Sequence, residues 1–167
     1  MRNANRITPE AGFTVLEAAV SLTVLAVALC ALWGTLVYCS RANRASEEKK
    51  QALNAAQAKV EELKSAQFDT LIAEFGPSGN VGNRFGVPTL DADLSVAEGE
   101  ISFYTDETNA VGDPYMGFPL DLNGDGDNAD KDVSGGFQLL PVLVTIRWEG
   151  ALGDQRVDLR SILREEN

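Results

Sequence analysis

Histidine is missing altogether and cysteine occurs only twice in these 167 residues. Without an imidazole there is no Ser-His or Cys-His dyad and no histidine-bearing zinc site. The two thiols, Cys30 and Cys39, fall in one apolar stretch. Nine residues apart on a helix, they stand roughly 13 Å apart along its axis, too far for an intrachain bridge. Everything after Cys39 is therefore built without a disulfide. Basic residues are also scarce late in the chain: from Phe68 onward there are 19 acids and six bases, a net charge of −13. Such a surface repels a phosphate backbone and argues against direct nucleic-acid binding. Proline is absent between Pro9 and Pro77, and glycine after Gly12 occurs in that interval only at Gly34 and Gly76. Little there would break a helix.

What the sequence does contain early on is an apolar run, residues 18–39, with no charged residue. It is long enough to cross a hydrocarbon core of about 30 Å as a helix. Glu17 stands at its entrance, and a polar leader carrying Arg2 and Arg6 precedes it. A conventional signal peptide fits poorly. Its A-x-A-like site would be Ala26-Val27-Ala28, which lies well inside the run. A lipoprotein signal fails as well, because Leu29 and Tyr38, both large, precede the cysteines. Thr14-x-x-Glu17 before the run is a capping box, which alone would start a helix without any functional content.

The conjunction Gly12-Phe13-Thr14-Val15-Leu16-Glu17, followed by the apolar run, resembles the N-terminus of type IV pilins and of type II secretion pseudopilins. The likeness extends from Glu10 to about Leu36. It implies leader cleavage between Gly12 and Phe13 by a prepilin peptidase and methylation of the new Phe13 amine. It also implies that Glu17 faces that amine on a neighbouring subunit during assembly. Pairing within one chain is an alternative, since residues four apart share a helix face. The expected partners are the peptidase/methylase, other pilin or pseudopilin subunits and an inner-membrane assembly platform. The expected location is the inner membrane, single-pass, with the C-terminal domain periplasmic and entering a pilus or pseudopilus. The charge bias opposes this topology: Arg41, Arg44, Lys49 and Lys50 outnumber Arg2 and Arg6. Many major pilins close their C-terminal region with a cysteine pair; its absence points to a minor pilin or pseudopilin. The other reading is a single-pass anchored calcium-binding or sensing module that does not polymerise.

The implied fold is α+β, a long N-terminal helix packed on a small antiparallel sheet. Its parts would be a leader (1–12), a transmembrane and assembly helix (13–39), an amphipathic continuation (40–75) and a loop-rich β domain (76–167). Periodicity extends the helix from about Thr14 to Ser65, with Leu53, Ala56, Val60 and Leu63 on one face. Lys49, Gln57, Lys59, Glu61, Glu62 and Lys64 cover the rest. Residues 68–75 add a helical turn or two before Gly76-Pro77, and residues 77–93 read as loop. Strands are expected at 101–105, 142–148 and 156–163, the last two forming a hairpin around a turn at 149–155.

One stretch carries metal-ligand spacing. Asp121, Asn123 and Asp125 match positions 1, 3 and 5 of a calcium loop, Gly126 its sharp turn and Asp132 its last position. Asp127 could ligate through its carbonyl, and Asp130 is a spare carboxylate. The aspartate at the end, in place of glutamate, resembles dockerin-type loops locally. Hard oxygen donors make Ca2+ the expected ion. A metal-free acidic turn is the plainer alternative, since Asp, Asn and Gly favour turns on their own. The acid pairs Asp91/Asp93 and Glu98/Glu100 have glycosidase-like composition, but in an acidic chain they read as surface. No enzyme is expected.

Overall fold

The computed structural model describes residues 14–90, 97–108 and 115–165. The fold is α+β: a long apolar N-terminal helix and a four-stranded antiparallel sheet. The first helix, α1 (Val15–Ser65), is unbroken over 51 residues. Thr14 caps it, its hydroxyl accepting the Glu17 N–H at 3.2 Å, so one half of the capping box is formed.

The chain divides into two compact units, residues 1–41 and 42–167. Within the first, the apolar residues of α1 are exposed, among them Val20, Leu25, Leu32, Trp33 and Leu36. This helix is long and apolar enough to cross a membrane. Its hydroxyls turn inward to the backbone: Thr23 donates to the Ala19 carbonyl at 2.8 Å and Thr35 to Ala31 at 3.0 Å. A donor satisfied within the helix does not have to be satisfied by the surroundings, which suits a lipid environment.

In the second unit, α1 presents Ala52, Ala56, Val60 and Leu63 to the core. The expected seam began at Leu53, which is instead 40% exposed. The other three expected residues, Ala56, Val60 and Leu63, are in the seam, and Ala52 takes the place of Leu53. Two alanines let the helix approach the sheet closely, where large side chains from the strands fill the space. Lys59 also departs from expectation. Its ammonium is not in open solvent but 5.1 Å from the ring centroids of both Phe75 and Phe85, while bonding Glu62 at 2.9 Å.

Helix α1 ends at Ser65, and the chain resumes as a single 3-10 turn (Phe68–Thr70) leading into α2 (Leu71–Phe75). Residues 68–75 are thus helical but separate from α1. Gly76 closes α2, its N–H bonding the Ile72 carbonyl at 2.9 Å.

The strands β1 (Arg84–Gly86), β2 (Glu98–Phe103), β3 (Leu139–Gly150) and β4 (Gly153–Arg164) lie in the order β1-β2-β3-β4, each antiparallel to the next. β1 falls in the segment expected to be loop. What holds it is non-local: Phe85 pairs with Gly99 and its ring lies over that glycine. Strand 101–105 is displaced to 98–103. The β3–β4 hairpin is longer than expected, and its turn shrinks to Ala151 and Leu152, with Gly153 at φ +92°. The ladder continues through Trp148–Gln155 and the two acids Glu149–Asp154 because the tip is anchored from outside. Glu48 of α1 accepts the Ala151 N–H at 3.1 Å and the Trp148 indole N–H at 3.4 Å.

The inner sheet face follows the alternation: Leu140, Val142, Val144, Ile146 and Trp148 are buried on β3, and Val157 and Leu163 on β4. On the outer face Thr145 donates to Asp158 at 2.9 Å and Arg156 pairs with the same carboxylate at 2.7 Å. Partial burial pushes the Asp158 carboxyl up, but these two hydrogen bonds outweigh it and leave the group below its usual range.

A methyl group at Gly99 would collide with the Phe85 ring. Gly99→Ala should therefore cost about 1–3 kcal/mol in denaturant unfolding. In the double variant with Phe85→Ala, most of the additional cost of the new methyl should disappear.

Candidate functional site

Two places in the chain carry functional expectations. The first is the start of α1. Gly12 and Phe13 lie outside the described residues. Glu17 is exposed in the first turn of α1, where the helix dipole favours a negative charge. Its backbone bonds Thr14.

The second is the acidic loop between β2 and β3. Its chain path is set by carboxylates accepting backbone N–H groups. Asp121 accepts from Gly124 at 2.6 Å and from Gly126 at 3.0 Å; Asp125 accepts from Asp127 at 2.9 Å. Asn123 accepts from Asp125 at 3.0 Å and donates its amide to Asp130 at 3.0 Å. Gly124 and Gly126 both take positive φ, +78° and +95°, the left-handed conformation that such a tight path requires. Asp132, the expected last ligand, accepts the Ser134 N–H at 3.0 Å. That bond, with further ones from the Ser134 and Thr105 side chains, holds its carboxyl below the usual range despite desolvation.

The grouping in space differs from the linear spacing. Glu107, Asp127 and Asp130 bring carboxylate oxygens within 4.8 Å of one another, close enough to hold a metal ion. Asp127 belongs to the expected set, Asp130 was the spare acid, and Glu107 lies outside the motif. Asn123 and Asp125 bond members of this grouping, Asp130 and Asp127 respectively, whereas Asp121 and Asp132 bond other backbone groups of the loop. Two oxygens bound to one calcium at about 2.4 Å stand at most about 4.8 Å apart, so the separation fits shared ligation by hard oxygen donors. Crowding is evident at Asp130. Desolvation, then the charges of Asp127, Asp125 and Glu107, push its carboxyl above the usual range, against a lowering hydrogen bond from Asn123.

Glu107 is the organising residue. It is fully buried, and its side chain accepts from Leu122 at 2.7 Å, Asn123 at 3.3 Å and Asp130 at 3.2 Å. Its own backbone bonds both ends of the loop: its N–H reaches the Asp130 carbonyl at 2.9 Å and its carbonyl accepts from Leu120 at 3.2 Å. Beside it, Leu122 is wholly buried. Sequence spacing cannot find Glu107, since it precedes the motif by 14 residues and reaches it only through tertiary contact. The one available hint is Asp106-Glu107, a pair of acids directly after a strand.

Of the other acid pairs, one is not described and one lies on the sheet. Asp91 and Asp93 lie outside the described residues. Glu98 and Glu100 sit on the outer face of the sheet, where Glu100 pairs with Arg147 at 3.0 Å.

Glu107→Ala leaves three inward-pointing N–H groups without their acceptor. It should destabilise the domain by about 2–4 kcal/mol in denaturant unfolding. Glu107→Gln keeps one acceptor oxygen and should cost distinctly less.

No family model matches the chain, and no curated protein and no solved structure matches it.

Proposed function

We propose that the chain is a prepilin-like structural subunit, processed after Gly12, methylated at Phe13 and held in the inner membrane before it joins a periplasmic fibre. The observation that carries this reading is the double use of one helix. The first half of α1 exposes an apolar surface among the described residues, while its last turns form the core seam of the sheet domain. An element of that kind can be inserted in lipid, or packed against copies of itself, without unfolding the domain it carries. Glu17 at its start supports the reading, because a carboxylate at the edge of an apolar helix calls for a cationic partner. The Phe13 amine of a neighbouring subunit is the partner we propose. The peptidase/methylase and an inner-membrane platform would act on this segment.

We also propose that the acidic loop takes calcium, with Glu107, Asp127 and Asp130 as the carboxylate core. Bound there, the ion would relieve the repulsion felt at Asp130 and fix a loop that no disulfide holds. This grouping also supports the second reading, an anchored calcium-binding or sensing module that does not polymerise.

Mass spectrometry of the membrane-extracted protein separates the two. The subunit reading expects a mature chain beginning at Phe13 and carrying one methyl group. A chain that retains residues 1–12 overturns it and favours the anchored module. Glu17→Ala should leave cleavage intact and abolish incorporation into fibres.

For calcium, the measurement is thermal unfolding of the full chain in detergent. Saturating calcium should raise the midpoint by several degrees, as expected for about 2–3 kcal/mol of ligand linkage. EGTA should reverse the rise, and Asp127→Asn with Asp130→Asn should remove it. An unchanged midpoint in EGTA sinks the calcium assignment.

A further inference from the structure

Strand β4 forms one edge of the sheet. It is 12 residues long, and among the described residues no strand pairs with its other side. Successive residues of an antiparallel strand direct their N–H and C=O alternately to the two sides. Half of the β4 peptide groups therefore face away from β3, along an edge that no strand covers among the described residues, a template for another strand. At the tip end of this edge the Asp154 carbonyl accepts from the side chain of the adjacent Gln155, at 3.1 Å.

The residues along this edge alternate in charge. On the outer face β4 carries Asp154, Arg156, Asp158, Arg160, Ile162 and Arg164 in that order. Two copies of such a strand, laid antiparallel, meet in registers that are either consistently favourable or consistently unfavourable. Centred on Asp158, the pairing sets Asp158 against itself and Arg156 against Arg160. Centred on Arg160, it sets Arg160 against itself and Arg156 against Arg164. Centred on Leu159, every acid meets a base: Asp158 faces the partner's Arg160 and Asp154 faces the partner's Arg164. Centring on Val157 is also complementary but leaves the Ile162–Arg164 end unpaired. Opposite charges directly across a strand pair stabilise it and like charges oppose it, so the pattern selects a register.

The inner face agrees with the same centre. A groove of about 200 Å³ runs beside Leu159, between it and Val60, Glu61 and Lys64 of α1. Leu159 is only partly buried there. In the Leu159-centred register the partner's Leu159 comes to this groove.

We propose that β4 is a docking edge for a second copy of this chain, joined antiparallel and two-fold about Leu159 into one continuous eight-stranded sheet. The contact is isologous, so it closes at two copies and cannot by itself extend into a fibre. It stands apart from the subunit reading above, and cleavage after Gly12 neither supports nor weakens it.

The test is disulfide trapping in the full chain extracted in detergent, with Cys30→Ser and Cys39→Ser. Directly opposed residues have Cα atoms about 4.5–5.5 Å apart, within bridging range. Leu159→Cys should give a covalent dimer at least about tenfold faster than Ile162→Cys, whose two copies stand roughly 20 Å apart in this register. Ile162 is the control because it is well exposed, at 45%, and random collision would trap it more readily. Equal or faster trapping at Ile162 overturns the proposal. Charge provides the second arm, free of any cysteine at the core. Asp154→Arg or Arg164→Asp alone should lower the dimer fraction seen by native mass spectrometry. The double variant Asp154→Arg/Arg164→Asp should restore it, since composition and complementarity are both regained. A dimer fraction indifferent to these changes, or one that the double variant does not recover, also overturns it.

Discussion

The seam of Ala52, Ala56, Val60 and Leu63 against β3 is the contact on which the domain depends. Four strands of which one has three residues would not hold together in water as an open sheet. The helix supplies the second layer, and the small side chains on it set how close that layer comes. Around the seam, polar contacts fix what apolar packing leaves free. Glu48 ties the hairpin tip to the helix, and Lys59 bridges α1 to the rings of Phe75 and Phe85. Each is a charged residue of the helix that serves the domain and not the solvent.

Local pattern made the larger elements legible. The extent of α1 follows from an interval with almost no helix breakers, and the inner face of β3 follows from alternation of Val142, Val144, Ile146 and Trp148 against Leu143, Thr145 and Arg147. What was not legible depends on partners distant in sequence. Leu53 looks as suitable for the core as Ala52, and only the sheet's distance from the helix decides between them. β1 exists because Phe85 finds Gly99, a match that no run of apolar residues announces. The hairpin tip reads as a wide polar turn until Glu48 is seen to hold it.

The acidic loop shows the same division at the level of chemistry. Spacing brought out the Gly126 turn and the carboxylates; Gly126 adopts the positive φ that such a loop needs, and so does Gly124. Spacing assigns ligands by counting, however, whereas the structure assigns them by direction. Asp121 turns to the loop's own amides and Asp132 to Ser134, so their carboxylates stabilise the path of the chain. The convergence on Asp127 and Asp130 comes from Glu107, buried beneath the loop and bonded to it along its length. A loop built this way holds its shape through hydrogen bonds while its repulsion remains, most visibly at Asp130. That combination could hold a cation on a chain path already ordered by its own hydrogen bonds.

Among the described residues, the exposed first half of α1 and the outer edge of β4 are two uncovered surfaces of different kinds. The helix offers apolar area without direction, so lipid and neighbouring helices can both cover it. The strand edge offers hydrogen bonds in a fixed register, and its alternating charges accept few partners. An association through the helix can be propagated from copy to copy, because the same apolar surface surrounds it on all sides. An association through β4 ends at two. The alternation of Asp154, Arg156, Asp158 and Arg160 suits a contact of that kind: salt bridges at an exposed edge give register while adding little to its strength, so the pair can be specific without being permanent.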